Sequence, residues 1–128
     1  MDHTYYFDGN MKKISWMITT NETKVEQVRT HTENYYDKVS AEQSKYVSLH
    51  VGIFWSIGRF IIRNGDAVKV MVDQKLMFDH LTKNKKSDDP FIESRISFIN
   101  QLIDQRGLDV QYQLIEPKNN LATKLLDS

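Results

Sequence analysis

Three carboxylates, Asp8, Glu42 and Asp73, stand where local structure can aim them at one point. Asp8 ends an aromatic and β-branched run, Thr4-Tyr5-Tyr6-Phe7, and Asp73 ends another, Ala67-Val68-Lys69-Val70-Met71-Val72. Side chains alternate along a strand, so Tyr6 shares a face with Asp8 and Met71 shares one with Asp73. If the two strands are neighbours, the aspartates converge, and Glu42 can join them from the first turn of a helix lying across the sheet. Carboxylates facing one point repel each other unless a cation lies between them. An all-oxygen ligand set suits Mg²⁺ or Mn²⁺. Two such ions about 4 Å apart can activate a water and stabilise the leaving oxygen of a phosphodiester.

Each residue alone has a plainer use. Asp8-Gly9 is ordinary hairpin-turn chemistry, Glu42 can serve a capping box or the helix dipole, and Asp73 can cap the next helix. Only their combination points to a metal site.

The elements that would position them read as follows. Thr4 to Phe7 is a strand that stops at Asp8-Gly9-Asn10, and Ile14 to Thr20 resumes as its hairpin partner. Lys24 to Thr32 is a third strand. Ser40-Ala41-Glu42-Gln43 has capping-box spacing, and Tyr46, Leu49, Ile53, Ile57 and Phe60 recur every three or four residues on one stripe, which Glu42 extends. Asn64-Gly65-Asp66 breaks the chain before the strand from Ala67 to Val72, and a helix follows from Gln74 to about Leu81. Asp89 caps a further helix with Pro90 at its first position, Ile92, Ile96, Ile99 and Ile103 on its apolar face, and Gly107 at its end. Val110 to Ile115 is the last strand, and Pro117-Lys118-Asn119 leads into a short terminal helix bearing Leu121, Leu125 and Leu126. This order, βββ-α-β-α-α-β-α, implies one α/β domain: a mixed sheet with helices on its faces.

Composition bounds the chemistry. The 128 residues carry 17 Lys+Arg and 17 Asp+Glu, which argues against bulk attraction to nucleic acid but leaves room for opposed local patches. There is no Cys, so thiolate metal sites and disulfides are excluded. His3, His31, His50 and His80 share no ligand spacing, and no Ser-His-Asp grouping or phosphate-cradling Gly loop is visible. Phe54 and Trp55 fit the helix core, and Tyr35-Tyr36 fits packing over the sheet edge. No signal peptide or membrane span is evident, so the expectation is a cytoplasmic protein.

On these residues the chain resembles the ribonuclease H family over nearly its whole length. Tyr6-Phe7-Asp8-Gly9-Asn10 is similar to the family's first-strand motif, Ala41-Glu42 with Leu49 to its helix start, and Val70-Met71-Val72-Asp73-Gln74 to its fourth strand. Ile115 to Leu126 is similar to its closing strand, Asn-containing turn and Ala-Asp segment. The resemblance implies a five-stranded mixed sheet flanked by helices, and hydrolysis of the RNA strand of an RNA–DNA hybrid with two Mg²⁺ or Mn²⁺ ions. It implies Asp8, Glu42 and Asp73 as metal ligands, Thr123 in the remaining catalytic position, and Asn10, Asn119, Lys83, Lys85 and Lys86 as substrate contacts. The expected protein is monomeric and needs no organic cofactor.

The chain departs from the family pattern in two places. Thr123 stands where an acidic residue follows Ala, with Asp127 one helical turn beyond it, and the loop before the last helix lacks a His. These departures motivate a rival reading, a catalytically weakened nucleic-acid-binding or regulatory module. A third is another phosphodiester nuclease, of the resolvase or transposase type, on the same scaffold.

Overall fold

The structure, a computed structural model, describes residues 1–83 and 85–128. Its strands are β1 (Asp2–Gly9), β2 (Lys13–Thr20), β3 (Thr23–Thr30), β4 (Ala67–Val72) and β5 (Asp109–Leu114). Its α-helices are α1 (Ala41–Gly58), α2 (Lys75–Thr82) and α3 (Pro90–Arg106). The strands form one sheet in the order β3-β2-β1-β4-β5. β1, β2 and β3 pair antiparallel, whereas β4 lies parallel to β1 and β5 parallel to β4. This is the expected mixed sheet of five strands.

Turn chemistry shapes the antiparallel half. The Asn10 side-chain oxygen accepts from the backbone N–H groups of Lys12 and Lys13, closing the β1–β2 hairpin. Asn21, at φ 55°, makes the tight turn into β3. Helix ends follow the capping signals. Ser40 and Gln43 form a reciprocal capping box, and Asp89 accepts from Phe91 N–H ahead of α3, with Pro90 in its first turn.

Helix α1 buries two stripes. Tyr46, Leu49 and Ile53 are fully buried in the core with Ile92 and Ile99 of α3. A second stripe of small residues, Ser44, Ser48, Gly52 and Ser56, recurs every four positions and is also buried. Here the helix crosses the sheet closely: a Cβ on Gly52 would overlap the Tyr5 hydroxyl and Trp16, and one on Gly9 would overlap Ser44. Ser48 donates to Ser15 O, and Tyr5 donates to Ser48 O, so these hydroxyls are paired in the dry contact, whereas the buried Trp16 Nε1–H has no partner. Burial of Trp16, Tyr5, Ile18 and Leu49 supplies the main stabilisation, about 1.5–3 kcal/mol for each large apolar side chain.

Three expectations need correction. Phe60 is 77% exposed, because α1 ends at Gly58 and Phe60 turns away at φ 62°. Phe54 is also exposed, on the outer face of α1, while its neighbour Trp55 packs against Trp16. The terminal segment forms two 3₁₀ turns, Pro117–Asn119 and Thr123–Asp127, in place of an α-helix. Side-chain hydrogen bonds from Asn120 hold it to the sheet and interrupt helical pairing. Among the described residues no helix is long and apolar enough to cross a membrane.

Candidate active site

Asp8 and Asp73 each lie two residues beyond the last paired residues of the parallel strands β1 and β4, Tyr6 and Met71. In-register parallel pairing therefore carries both side chains to the same end of the sheet. Between them sits Lys45, from the second turn of α1. Its Nζ lies 2.5 Å from Asp8 Oδ1 and 3.1 Å from Asp73 Oδ1, with Asp73 Oδ2 at 3.3 Å. All three side chains are largely buried, at 12% exposure for Lys45, 8% for Asp8 and 6% for Asp73.

The other oxygens of the pair are also engaged. Asp8 Oδ1 accepts from Gly9 N–H at 2.8 Å, and Asp8 Oδ2 accepts from the Thr123 hydroxyl at 2.6 Å. Asp73 Oδ2 accepts from Asn120 Nδ2 at 2.9 Å. Burial lowers the Lys45 pKa, but the hydrogen bond and charge of Asp8, followed by those of Asp73, outweigh it and leave a net rise. Lys45 is thus an ammonium at neutral pH. Two carboxylates against one ammonium leave a single net negative charge in the cluster.

Glu42 does not join this cluster. It faces a cleft of about 380 Å³ lined also by Leu76, His80, Lys85, Lys86 and Asp89. The reason is helix geometry. Glu42 lies on the Tyr46 stripe, which turns toward α2 and α3, whereas Lys45 adjoins the small-residue stripe that crosses the sheet. Among the described residues no three His, Asp or Glu side chains are grouped to hold a metal ion. The donor set does not fit two divalent ions: an ammonium takes the place of the third carboxylate, and Thr123 brings a neutral hydroxyl.

Asn10 holds the hairpin turn beside Asp8, and its oxygen is spent there. Asn119 is exposed, and the asparagine tied to the site is its neighbour Asn120, which bonds Phe7 O as well as Asp73. Lys83 pairs with Asp79 at 3.3 Å, and Lys85 and Lys86 border clefts around His80 rather than the aspartate pair. Asp127 is exposed. Lys45 and Asn120 were not anticipated from the sequence. The serine and glycine spacing of four in α1 was the available signal, since it marks the face beside which Lys45 must lie.

A second polar cluster occupies the other end of β1 and β4. His3 is buried; its Nε2 donates to Asp66 Oδ2 at 2.8 Å, and its Nδ1 is hydrogen-bonded with the Thr20 hydroxyl at 2.6 Å. Burial works to raise the Asp66 pKa, but the His3 and Arg63 N–H hydrogen bonds outweigh it and lower the pKa.

Similarity to known proteins is visible in shape and not in sequence. No protein-family model and no curated protein matches the chain. Among solved structures it is similar to RNase H1 from the halophilic archaeon Halobacterium salinarum NRC-1, with a TM-score of 0.79, 16% identity, and 99% of this chain and 98% of that one covered. It is similar to LC11-RNase H1 in complex with an RNA/DNA hybrid, with a TM-score of 0.75, 15% identity, and 98% and 94% covered. A third is the N-terminal RNase H domain of Rv2228c from Mycobacterium tuberculosis, with a TM-score of 0.71, 14% identity, and 98% and 94% covered. Sheet order, strand directions and these whole-length matches agree that the chain has the ribonuclease H-like fold.

Proposed function

We propose that this chain is a ribonuclease H-like module that binds RNA–DNA hybrids without metal-dependent cleavage. The observation that carries the proposal is the Asp8–Lys45–Asp73 cluster, in which a fixed ammonium fills the space between the two aspartates. The hybrid as partner is supported by the fold shared with LC11-RNase H1, whose structure contains one. Asn10, whose side-chain NH₂ is left over from the turn, and the exposed Asn119 are proposed contacts to the sugar-phosphate backbone. Lys83, Lys85 and Lys86 are more distant phosphate contacts, and their acidic neighbours moderate their pull. The module acts as a cytoplasmic monomer in this reading.

The convergence of Asp8 and Asp73 favours a second reading, the Mg²⁺- or Mn²⁺-dependent endonuclease, in which Lys45 would have to leave the pair. One experiment separates the two. A labelled hybrid is incubated with the protein and either ion; cleavage is followed on a gel and binding by fluorescence anisotropy. The proposal expects binding that weakens as salt rises and no cleavage with either ion. Cleavage that Asp8→Asn abolishes establishes the endonuclease, and absence of hybrid binding removes the proposed partner.

A further inference from the structure

We infer that Lys45 is a resident cation: its ammonium does permanently the charge-neutralising work that a divalent ion would otherwise have to do between Asp8 and Asp73. The inference deepens the non-cleaving reading above, but its own test needs no nucleic acid.

The parallel pairing of β1 and β4 forces the two aspartates together, whatever lies between them. Two buried carboxylates in such proximity need a positive charge, and here the chain supplies it from α1. Lys45 is anchored rather than draped over the site. It lies one residue from Ser44, which packs against Gly9 at the close crossing of α1 over β1. Its stem is therefore fixed where the helix has least freedom to move.

Each of the four carboxylate oxygens already accepts from Lys45, Gly9 N–H, Thr123 or Asn120. An entering divalent ion would have to displace the ammonium from both aspartates, and would find no third carboxylate grouped with them among the described residues. Ligand charge and number govern affinity for hard cations. Placing acidic oxygen at Lys45 and Thr123, the two side chains that now donate to the aspartates from α1 and the terminal segment, should therefore convert a site that rejects divalent ions into one that binds them.

Titration calorimetry with Mn²⁺ and Mg²⁺, and thermal melting with and without each ion, test this on the free protein. Wild type is expected to give no binding heat and no melting shift at millimolar ion. Lys45→Glu combined with Thr123→Asp is expected to melt lower than wild type without ion and to regain stability with it. At about a tenfold excess of ion over Kd, the folding equilibrium should shift about tenfold. If that variant does not fold, Lys45→Met serves in its place: its melting temperature should fall without ion and recover in part with Mn²⁺. Stoichiometric Mn²⁺ binding by wild type that Asp8→Asn abolishes, or a Lys45→Met protein as stable as wild type without ion, overturns the inference. A protein that fails to bind hybrid yet passes these tests leaves the resident cation standing and removes only the proposed partner.

Discussion

The two ends of the β1–β4 pair carry polar clusters of opposite construction. At one end Asp66 meets His3 from β1, the N-terminal ammonium and the Arg63 N–H of its own turn, so a single carboxylate is satisfied by several donors. At the other end Asp8 and Asp73 are brought together by strand register, and a lysine from a separate element keeps them apart. The first cluster closes a turn. The second arises from the topology of parallel strands, whose ends align side chains that have no other reason to meet. A ribonuclease H-like sheet thus creates an electrostatic demand at that end, and this sequence meets it with its own side chain.

Breaking the lysine end should cost most. Lys45→Met leaves two buried carboxylates facing each other, and urea unfolding should show a loss of about 3–5 kcal/mol. A loss below that of His3→Leu would erase the contrast between the two ends. At the opposite end, His3→Leu removes one donor from Asp66 but leaves the Arg63 N–H in place, so the same measurement should show about 2 kcal/mol. Thr123→Val deletes only the hydroxyl donor to Asp8 at the edge of the cluster, and about 1 kcal/mol is expected.

The pH dependence sharpens the contrast with the smallest changes. The Lys45 pKa is raised on folding, so its contribution is fully present below the unfolded value of 10.5 and is lost as pH rises through the folded pKa. The Asp66 pKa is lowered, so its contribution is present above the unfolded value of 3.8 and is lost as pH falls through the folded one. Melting profiles should therefore show an alkaline loss that is reduced in Lys45→Met, with the buried Tyr5 and Tyr46 supplying the remainder, and an acid loss that is reduced in Asp66→Asn. If Lys45→Met retained the alkaline loss in full, Lys45 would have no share in it.

Much of this was legible in the sequence because it depends on local rules. The capping box at Ser40, the Asp89-Pro90 helix start, the Gly107 stop and the alternation that pairs Asp8 with Tyr6 all follow from neighbours along the chain. The third partner of the aspartates was not legible in the same way. Apolar periodicity in α1 points to the Tyr46–Leu49–Ile53 stripe and draws Glu42 toward the core with it. The face that crosses the sheet is lined by Ser44, Ser48 and Gly52, which carry little hydrophobic signal although they are fully buried. Lys45 borders that face, and only the close crossing at Gly9 and Gly52 reveals it. Asn120 was missed for a related reason. Its role depends on a contact with Phe7 across the fold, whereas Asn119 beside it has equal turn chemistry and remains exposed.

The most direct test of the resident cation is a crystal of the wild-type protein grown in millimolar Mn²⁺ and measured at the manganese absorption edge. The Lys45 ammonium should lie between Asp8 and Asp73 with no anomalous peak there. A manganese peak bridging the two aspartates, with Lys45 swung out of the pair, would contradict the account.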